Sequence, residues 1–271
     1  MSATPADSPK VRLDVEAGIA RLTLTRPEVR NAFDEGLIAE ITAALGVLRE
    51  EFRSDGGTAP RLLVLTGEGT AFCAGADMNW MRRSIRYTRE ENEEDAFRFA
   101  KMMLALDELP IPTIARVNGA CLGGGMGLIA CCDVVVASED ADFGFTEVRL
   151  GIAPAVISAF VLPKIGVAAA RRWFLTGEIF KARTAQAMGL VHEIAPAGGL
   201  DAAVERLIAA IAGNGPRAVA EAKRLIRENT ALSRDLAIEN SVRAIAALRA
   251  SPEGQEGLSA FLEKRRPAWK K

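Results

Sequence analysis

The stretch Cys121–Ser138, CLGGGMGLIACCDVVVAS, decides the fold of this chain. It carries four glycines within five residues, Gly123 to Gly125 and Gly127, and it ends in the β-branched run Val134–Ser138. Glycine costs about 1 kcal/mol relative to alanine inside a helix, so this cluster needs a physical reason. Two reasons are open: glycines allow tight packing of a helix on a strand, and they let a ligand approach the unpaired main-chain N–H groups at a helix N-terminus.

The same order of strand, glycine-containing loop and short helix recurs along the chain. The strand-like run 61–67, RLLVLTG, leads into the loop 68–77, EGTAFCAGAD, and the run 112–119, PTIARVNG, leads into the opening stretch. This recurrence predicts an α/β architecture built from repeated units. From about residue 200 the apolar spacing is helical only. We therefore expect a disordered N-terminus at 1–9, a core at 10–197, and a helical oligomerisation region at 198–271.

Composition restricts the classes of function. The 271 residues carry a net charge of −1, which gives no bias toward nucleic acid or an anionic membrane. The first residues lack the apolar core of a signal peptide, and no apolar run approaches the length of a spanning helix. Four cysteines without a CxxC pair and a single histidine, His192, make a metal site unexpected. These features predict a reduced, cytoplasmic protein.

The glycines do not match a nucleotide-binding motif well. The segment 125–130 fits GxGxxA, but the helix is short and no acidic residue follows at the expected distance. A second loop, AFCAGADM at 71–78, also follows a strand and precedes a helix capped near Asp77. Two such loops can present two free amides to one oxygen that gains negative charge.

A third segment, ADFGFTEVRLGIAP at 141–154, places Glu147 among apolar neighbours. A carboxyl group in such surroundings can have a raised pKa and act as an acid or base, although a surface or ion-paired glutamate is the alternative. The charged run at 80–95 is interpreted as a solvated face or as a mobile flap beside a pocket. We expect His192 to be structural and Cys73 to be a packing residue.

Several motifs together resemble the enoyl-CoA hydratase/isomerase (crotonase) superfamily. They are RPEVRNAF (26–33), GTAFCAGADMNWM (69–81), ARVNGACLGGGMGLIACCDVVVAS (115–138), FGFTEVRLGIAP (143–154), LTGEIFKARTAQAMGLVHEI (175–194) and GLSAFLEKRRPAWK (257–270). The resemblance implies an α/β spiral of repeated ββα units with a C-terminal helical trimerisation region. It also implies acyl-coenzyme A thioester substrates and a homotrimer or dimer of trimers.

The resemblance also implies roles for individual residues. The amides of Ala76 and Gly124 would form an oxyanion hole, and Glu147 would be the catalytic acid or base. The remaining implied substrate-binding residues are Arg30, Ala74, Asp77, Met78, Gly127, Phe261 and Lys264, and the last two would act on a neighbouring subunit. No separate cofactor is implied, because coenzyme A is part of the substrate.

The chain departs from the superfamily pattern at Gly127, where typical hydratases carry a second glutamate. We expect the space freed there to admit a bulkier or branched acyl chain, or an extra water. Three activities stay open: a hydratase with a single glutamate, an isomerase that shifts the double bond, and an acyl-CoA binder without catalysis. The segments FTEVRLGIAPAVIS (145–158) and FCAGADMNWM (72–81) most resemble hydratases of methylglutaconyl-CoA or carboxygeranoyl-CoA. The distal carboxylate of such a substrate would be received by Arg82, Arg83 or Arg86, for which a solvated role is the alternative.

Overall fold

The computed structural model of the protein describes residues 8–54 and 59–270 of the chain. Apart from residues 8 and 9, the predicted disordered N-terminus lies outside the described residues. The strands are β1 (Val11–Glu16), β2 (Ile19–Leu24), β3 (Leu62–Gly67), β4 (Ala71–Cys73), β5 (Thr113–Val117), β6 (Ala120–Leu122), β7 (Val134–Ser138), β8 (Asp142–Gly144), β9 (Ile179–Lys181) and β10 (Glu193–Ala195).

The helices alternate with the strands until residue 195 and then continue alone. They are α1 (Glu35–Ser54), α2 (Met78–Ser84), α3 (Arg89–Asp107), α4 (Gly124–Cys131), α5 (Ala155–Thr176), α6 (Ala182–Ala187), α7 (Leu200–Ala212), α8 (Pro216–Asn229), α9 (Arg234–Ala250) and α10 (Pro252–Leu262). No helix in the described part of the chain is long and apolar enough to cross a membrane.

The strands form two sheets, one with the order β1-β2-β3-β5-β7-β10 and the other with the order β4-β6-β8-β9. The successive pairs β3/β4, β5/β6 and β7/β8 each give their first strand to the large sheet and their second to the small one. A helix follows each pair before the next begins. The predicted spiral of ββα units is confirmed.

The central strands of the large sheet are buried on both faces, and the sequence of β3 shows why. Leu63 and Leu65 point into the main core with α1, whereas Leu62 and Val64 lie in a second apolar cluster on the other face. Alternate side chains of a strand point to opposite faces, so four consecutive apolar residues need cover on both sides.

Helix α7 supplies the cover on the second face. Leu200, Val204 and Ile208 pack there on side chains of the large sheet. The division between residues 197 and 198 stays a prediction. The packing nevertheless joins α7 to the sheet, although the prediction placed this helix in the C-terminal region.

The small sheet determines where the functional loops meet. β4 pairs in parallel with β6, and β6 pairs in parallel with β8. Because neighbouring parallel strands run in the same direction, their carboxyl ends lie at the same edge. The loops that follow Cys73, Leu122 and Gly144 are therefore adjacent.

One glycine of the opening cluster is required by packing. A Cβ added to Gly125 would lie 2.7 Å from the main-chain oxygen of Cys73, which is closer than van der Waals contact allows. Helix α4 thus rests directly on the end of β4, and the first of the two reasons offered for the glycines applies at this position.

We predict opposite effects of alanine at two helical glycines. Gly125→Ala should lower the free energy of unfolding by about 1–3 kcal/mol, as overpacked core substitutions do. Gly46→Ala is the matched control, because Gly46 is exposed in α1 with nothing within 4 Å of its added Cβ. It should raise the same quantity by up to about 1 kcal/mol through helix propensity. Urea denaturation measures both, and a stable Gly125→Ala variant would contradict the packing argument.

Candidate active site

The main-chain N–H of Ala76 is free, although Ala76 forms an isolated parallel bridge with Phe33. The Phe33 N–H donates to the oxygen of Gly75 over 2.7 Å, and the Asp77 N–H donates to the oxygen of Phe33 over 2.8 Å. In such a parallel bridge the hydrogen bonds are made by the residues on either side of Ala76, namely Gly75 and Asp77. The N–H of Ala76 therefore points away from Phe33. None of the described residues accepts a hydrogen bond from Ala76 N–H.

The second free amide belongs to Gly124, the first residue of α4. The N–H groups in the first turn of a helix have no intrahelical partner. Gly123 before it has φ +51° and donates its own N–H to the oxygen of Gly144 over 2.9 Å. This left-handed conformation strains any residue with a side chain, so glycine is required there.

The two amide loops and Glu147 lie in contact. A Cβ added to Gly123 would lie 3.6 Å from the Cα of Gly75 and 3.5 Å from Oε1 of Glu147. Glu147 opens a short 3-10 helix, Glu147–Leu150, just after β8. The structure therefore brings together Ala76, Gly124 and Glu147, the three residues predicted to be catalytic.

The surroundings of Glu147 favour its protonated form. Its Oε2 is buried and receives no hydrogen bond from any described residue. Burial raises the pKa of Glu147, and no cation in the described part of the chain acts to lower it. A carboxylate whose pKa is raised is a stronger base than an ordinary glutamate, so it can accept a proton and then return it.

These groups line a cavity of about 400 Å³. Most of its wall is apolar, and among the described lining residues only Glu147 and Asp95 carry a titratable side chain. The lining comprises Phe33, Ala74, Gly75, Ala76, Trp80, Met81, Ser84, Asn92, Asp95, Ala96, Phe99, Gly123, Gly124, Thr146, Glu147, Leu150, Ile152, Ala153, Pro154, Ala155, Val156 and Ile157. Ala74 is thus the predicted substrate-binding residue that lines the cavity beside the catalytic three.

Asp77 has a structural position instead. Its carboxylate accepts hydrogen bonds from the N–H groups of Asn79 and Trp80 and so caps α2. Its other oxygen lies 3.0 Å from Arg26, whose same nitrogen lies 3.1 Å from Asp34. This buried ion pair and cap hold the Ala76 loop in place, and Asp77 does not line the cavity, so substrate binding by Asp77 stays a prediction.

Three further predicted residues are exposed and do not line the cavity of their own chain. Met78 is 66% exposed and Phe261 is 82% exposed, and Lys264 is exposed as well. The side chain of Arg30 is also exposed, and its main-chain oxygen accepts the N–H of Ala74 over 3.0 Å. The structure therefore gives Arg30 a role in shaping the loop.

The expected free space at Gly127 does not exist. A Cβ added there would lie 2.5 Å from Cγ2 of Ile157 and 2.9 Å from Cε of Met103. Gly127 is buried and does not line the cavity. The prediction of extra room was wrong, because side chains from α5 and α3 fill the volume that a larger residue would occupy.

The charged run at 80–95 lies beside the cavity, as the second interpretation of this segment predicts, and its mobility stays a prediction. Trp80 and Asp95 line the cavity, whereas Arg82, Arg83 and Arg86 do not. Arg82 bonds to Asn79, and Arg83 pairs with Glu35 on α1. The available signal was the helical spacing of Asn92, Asp95, Ala96 and Phe99, but the charges of this segment favoured the interpretation as a solvated face.

Two residues have the structural roles expected of them. The Nδ1 atom of His192 accepts the N–H of Val135 over 3.0 Å. Cys73 is fully buried, and burial raises the pKa of its thiol to about 12. Neither group provides a nucleophile or a general base.

The chemistry of the site follows from its parts. Two unpaired N–H donors can stabilise a carbonyl oxygen that gains negative charge, and one such donor is worth about 2.7–4 kcal/mol in a transition state. A carboxyl group beside them can move a proton to or from carbon or water. The arrangement suits reactions that pass through an enolate.

Comparisons with known proteins agree with this chemistry. A family model described as enoyl-CoA hydratase/isomerase matches residues 14–271. The 2,3-dehydroadipyl-CoA hydratase of Escherichia coli is 33% identical over 92% of this chain and 94% of the relative. The crystal structure of an enoyl-CoA hydratase from Shewanella pealeana shares 39% identity with a TM-score of 0.89, and the match covers 96% of each chain. An enoyl-CoA hydratase structure from Mycobacterium smegmatis shares 34% identity with a TM-score of 0.90, covering 97% of this chain and 100% of that one.

The raised pKa of Glu147 predicts a pH-dependent cost to stability. As pH rises above the ordinary glutamate range of about 4.3, the unfolded chain loses this proton before the folded protein does. The folded state therefore loses stability as pH rises through the raised pKa. Glu147→Gln should remove this loss, so the variant should be more stable than wild type at neutral pH, with a difference that shrinks on acidification.

Thermal or urea unfolding between about pH 4 and pH 8 measures the effect. Glu16→Gln is the matched control, because this glutamate is exposed on β1 and its substitution should give no such pH-dependent gain. A Glu147→Gln variant that is less stable than wild type at neutral pH would contradict the proposed environment of the carboxyl group.

Proposed function

The chain belongs to the enoyl-CoA hydratase/isomerase family, and on this premise we propose that it hydrates 2-enoyl-CoA thioesters with Glu147 as the single catalytic acid and base. One observation carries the proposal. Two unpaired amides and a buried carboxyl group without a cation meet in one apolar cavity.

The proposed mechanism uses three groups of this chain. The N–H groups of Ala76 and Gly124 hold the thioester oxygen and stabilise the enolate. Glu147 takes a proton from water as the water oxygen bonds to the β-carbon, and then returns a proton to the α-carbon. The balance is one water added and one double bond lost, and the carboxylate is regenerated.

Isomerisation of the double bond is the second candidate, and the position of Gly127 favours it. Ile157 and Met103 fill the place where a second glutamate would stand, so one carboxyl group would serve every proton transfer near the amides. In this reading Glu147 removes a proton from the α-carbon of a 3-enoyl thioester and returns it to the γ-carbon. A binder without catalysis is the third reading, and the raised pKa of Glu147 between two free amides opposes it.

A carboxylated acyl chain, as in methylglutaconyl-CoA, finds little support in the cavity. Arg82, Arg83 and Arg86 were the expected partners of a distal carboxylate, yet none of them lines the cavity. Asp95 does line it and would repel a second negative charge. We therefore favour an uncarboxylated substrate.

We also propose that the protein works as a homotrimer or a dimer of trimers. The C-terminal helices expose a large apolar surface, which a monomer in water rarely tolerates. Its members are Leu232, Leu236, Ile238, Val242, Ile245, Leu258, Phe261 and Leu262. In this assembly Phe261 and Lys264 would reach the coenzyme A bound to a neighbouring subunit.

Glu147→Gln should lower kcat by about 10²–10⁴-fold, the usual contribution of general acid–base catalysis. Binding of the thioester should stay nearly unchanged, because glutamine keeps the shape of the side chain. Turnover of hex-2-enoyl-CoA and calorimetry with hexanoyl-CoA measure the two quantities, with Glu16→Gln as the control. An unaltered rate in Glu147→Gln would remove this residue from the mechanism.

Water labelled with ¹⁸O separates the first two activities. Hydration places the label at the β-carbon of the product, whereas isomerisation moves the double bond without incorporating it. A wild-type protein that binds the thioesters but converts none of a panel of 2-enoyl and 3-enoyl substrates would support the binder.

Light scattering at micromolar concentration should give the mass of three or six chains. Val242→Asp should reduce that mass, because Val242 lies 59% exposed on α9 and a carboxylate would be costly to bury in a subunit contact. Val47→Asp is the matched control, since Val47 is similarly exposed on α1, outside the C-terminal helices. A monomeric wild type would rule out the proposed assembly.

A further inference from the structure

Asp95 is a charged side chain in an unusual place. It exposes only 7% of its surface, yet it lines the same cavity as the two free amides and Glu147. Aspartate is almost never this deeply buried unless it is paired, because removing a charge from water is costly. Its pairing therefore decides whether its role is purely structural.

The pairing of Asp95 is incomplete. Arg98 is the one described residue that donates a hydrogen bond to it, over a long 3.4 Å. Arg98 makes a shorter contact of 2.9 Å with Glu94, so it does not depend on Asp95 for a partner. A carboxylate accepts up to about four hydrogen bonds. Asp95 thus keeps acceptor capacity beyond this contact, and it lines both this cavity and a second groove that it shares with Arg98 and Lys101.

The position of Asp95 relative to the amides is fixed by α3. A Cβ added to Gly124 would lie 3.0 Å from Cζ of Phe99, so Phe99 stands beside the oxyanion end of the cavity. Asp95 lies four residues earlier on the same helix, about one turn of 5.4 Å away. The intervening wall is apolar and fits an acyl chain. A chain that starts at the amides and follows α3 therefore reaches Asp95 several carbons beyond the thioester.

We propose that Asp95 selects acyl-CoA thioesters whose acyl chain carries a hydrogen-bond donor, such as a hydroxyl group, several carbons from the thioester. This inference rests on the proposed function for the placement of the thioester at Ala76 and Gly124. A hydroxyl group donates to the free oxygen of Asp95 and leaves the buried charge better satisfied. A methyl group leaves it unsatisfied, and a carboxylate adds repulsion between like charges.

Calorimetry with three saturated thioesters of equal chain length tests the inference without turnover. They are hexanoyl-CoA, 6-hydroxyhexanoyl-CoA and adipyl-CoA, which end in methyl, hydroxymethyl and carboxylate. The wild type should bind the hydroxylated ligand about tenfold more tightly than hexanoyl-CoA, as expected for a hydrogen bond to a charged group. Adipyl-CoA should bind more weakly than hexanoyl-CoA.

Variants assign the preference to one carboxylate. Asp95→Asn should reduce the advantage of the hydroxyl group and strengthen adipyl-CoA binding by about tenfold relative to hexanoyl-CoA. An unchanged circular dichroism spectrum reports an intact fold. Glu94→Gln is the matched control, because it removes the exposed carboxylate that pairs with the same arginine. It should leave the order of the three ligands as in wild type.

Two results would overturn the inference. One is a wild type that binds 6-hydroxyhexanoyl-CoA no more tightly than hexanoyl-CoA, and this test needs no variant to fold. The other is a ligand order that Asp95→Asn leaves unchanged. If hex-2-enoyl-CoA is still hydrated in either case, the proposed function stands and only the role of Asp95 fails. If no enoyl thioester is converted but the binding order holds, the proposed hydratase activity alone fails.

Discussion

The parallel pairing of β4, β6 and β8 is the constraint on which the site depends. It brings the carboxyl ends of three short strands to one edge, so the loops after Cys73, Leu122 and Gly144 touch. The amides of Ala76 and Gly124 and the carboxyl group of Glu147 lie on or just after those loops. Each ββα unit of the spiral supplies one strand of this small sheet, which is why the active site is distributed along the chain.

The glycines of the stretch Cys121–Ser138 meet more than one physical requirement. Gly123 adopts a left-handed conformation that turns the chain into α4, and Gly124 begins that helix with a free amide. Gly125 lets α4 pack on the main-chain oxygen of Cys73. At Gly127 the side chains of Ile157 and Met103 occupy the space that a side chain would need. Ligand approach and tight packing are both needed, at different positions of one cluster.

The protein treats its buried carboxylates in contrasting ways. Asp34 and Asp77 share Arg26, and this network holds the loop that presents Ala76. None of the described cations pairs with Glu147, so burial raises its pKa and prepares it for proton transfer. Asp95 lies between these extremes, with one long contact to Arg98 and a face toward the cavity. The degree of pairing thus separates a structural role from a catalytic one, and it motivates the role in selection proposed for Asp95.

Local patterns in the sequence were enough to predict the repeated strand–loop–helix order, the helical C-terminal region and the meeting of two amide loops with Glu147. The resemblance to the family identified Ala76 and Gly124 within those loops. These features depend on apolar periodicity, on glycine conformation and on motifs contained in short segments. Tertiary structure alone decided three other points: the filling of the space at Gly127 by Ile157 and Met103, the pairing of Asp77 with Arg26, and the burial of Asp95 against the cavity. The reason is physical. Available volume and the partner of a charge are properties of residues far apart in the chain, and only the packed fold brings them into contact.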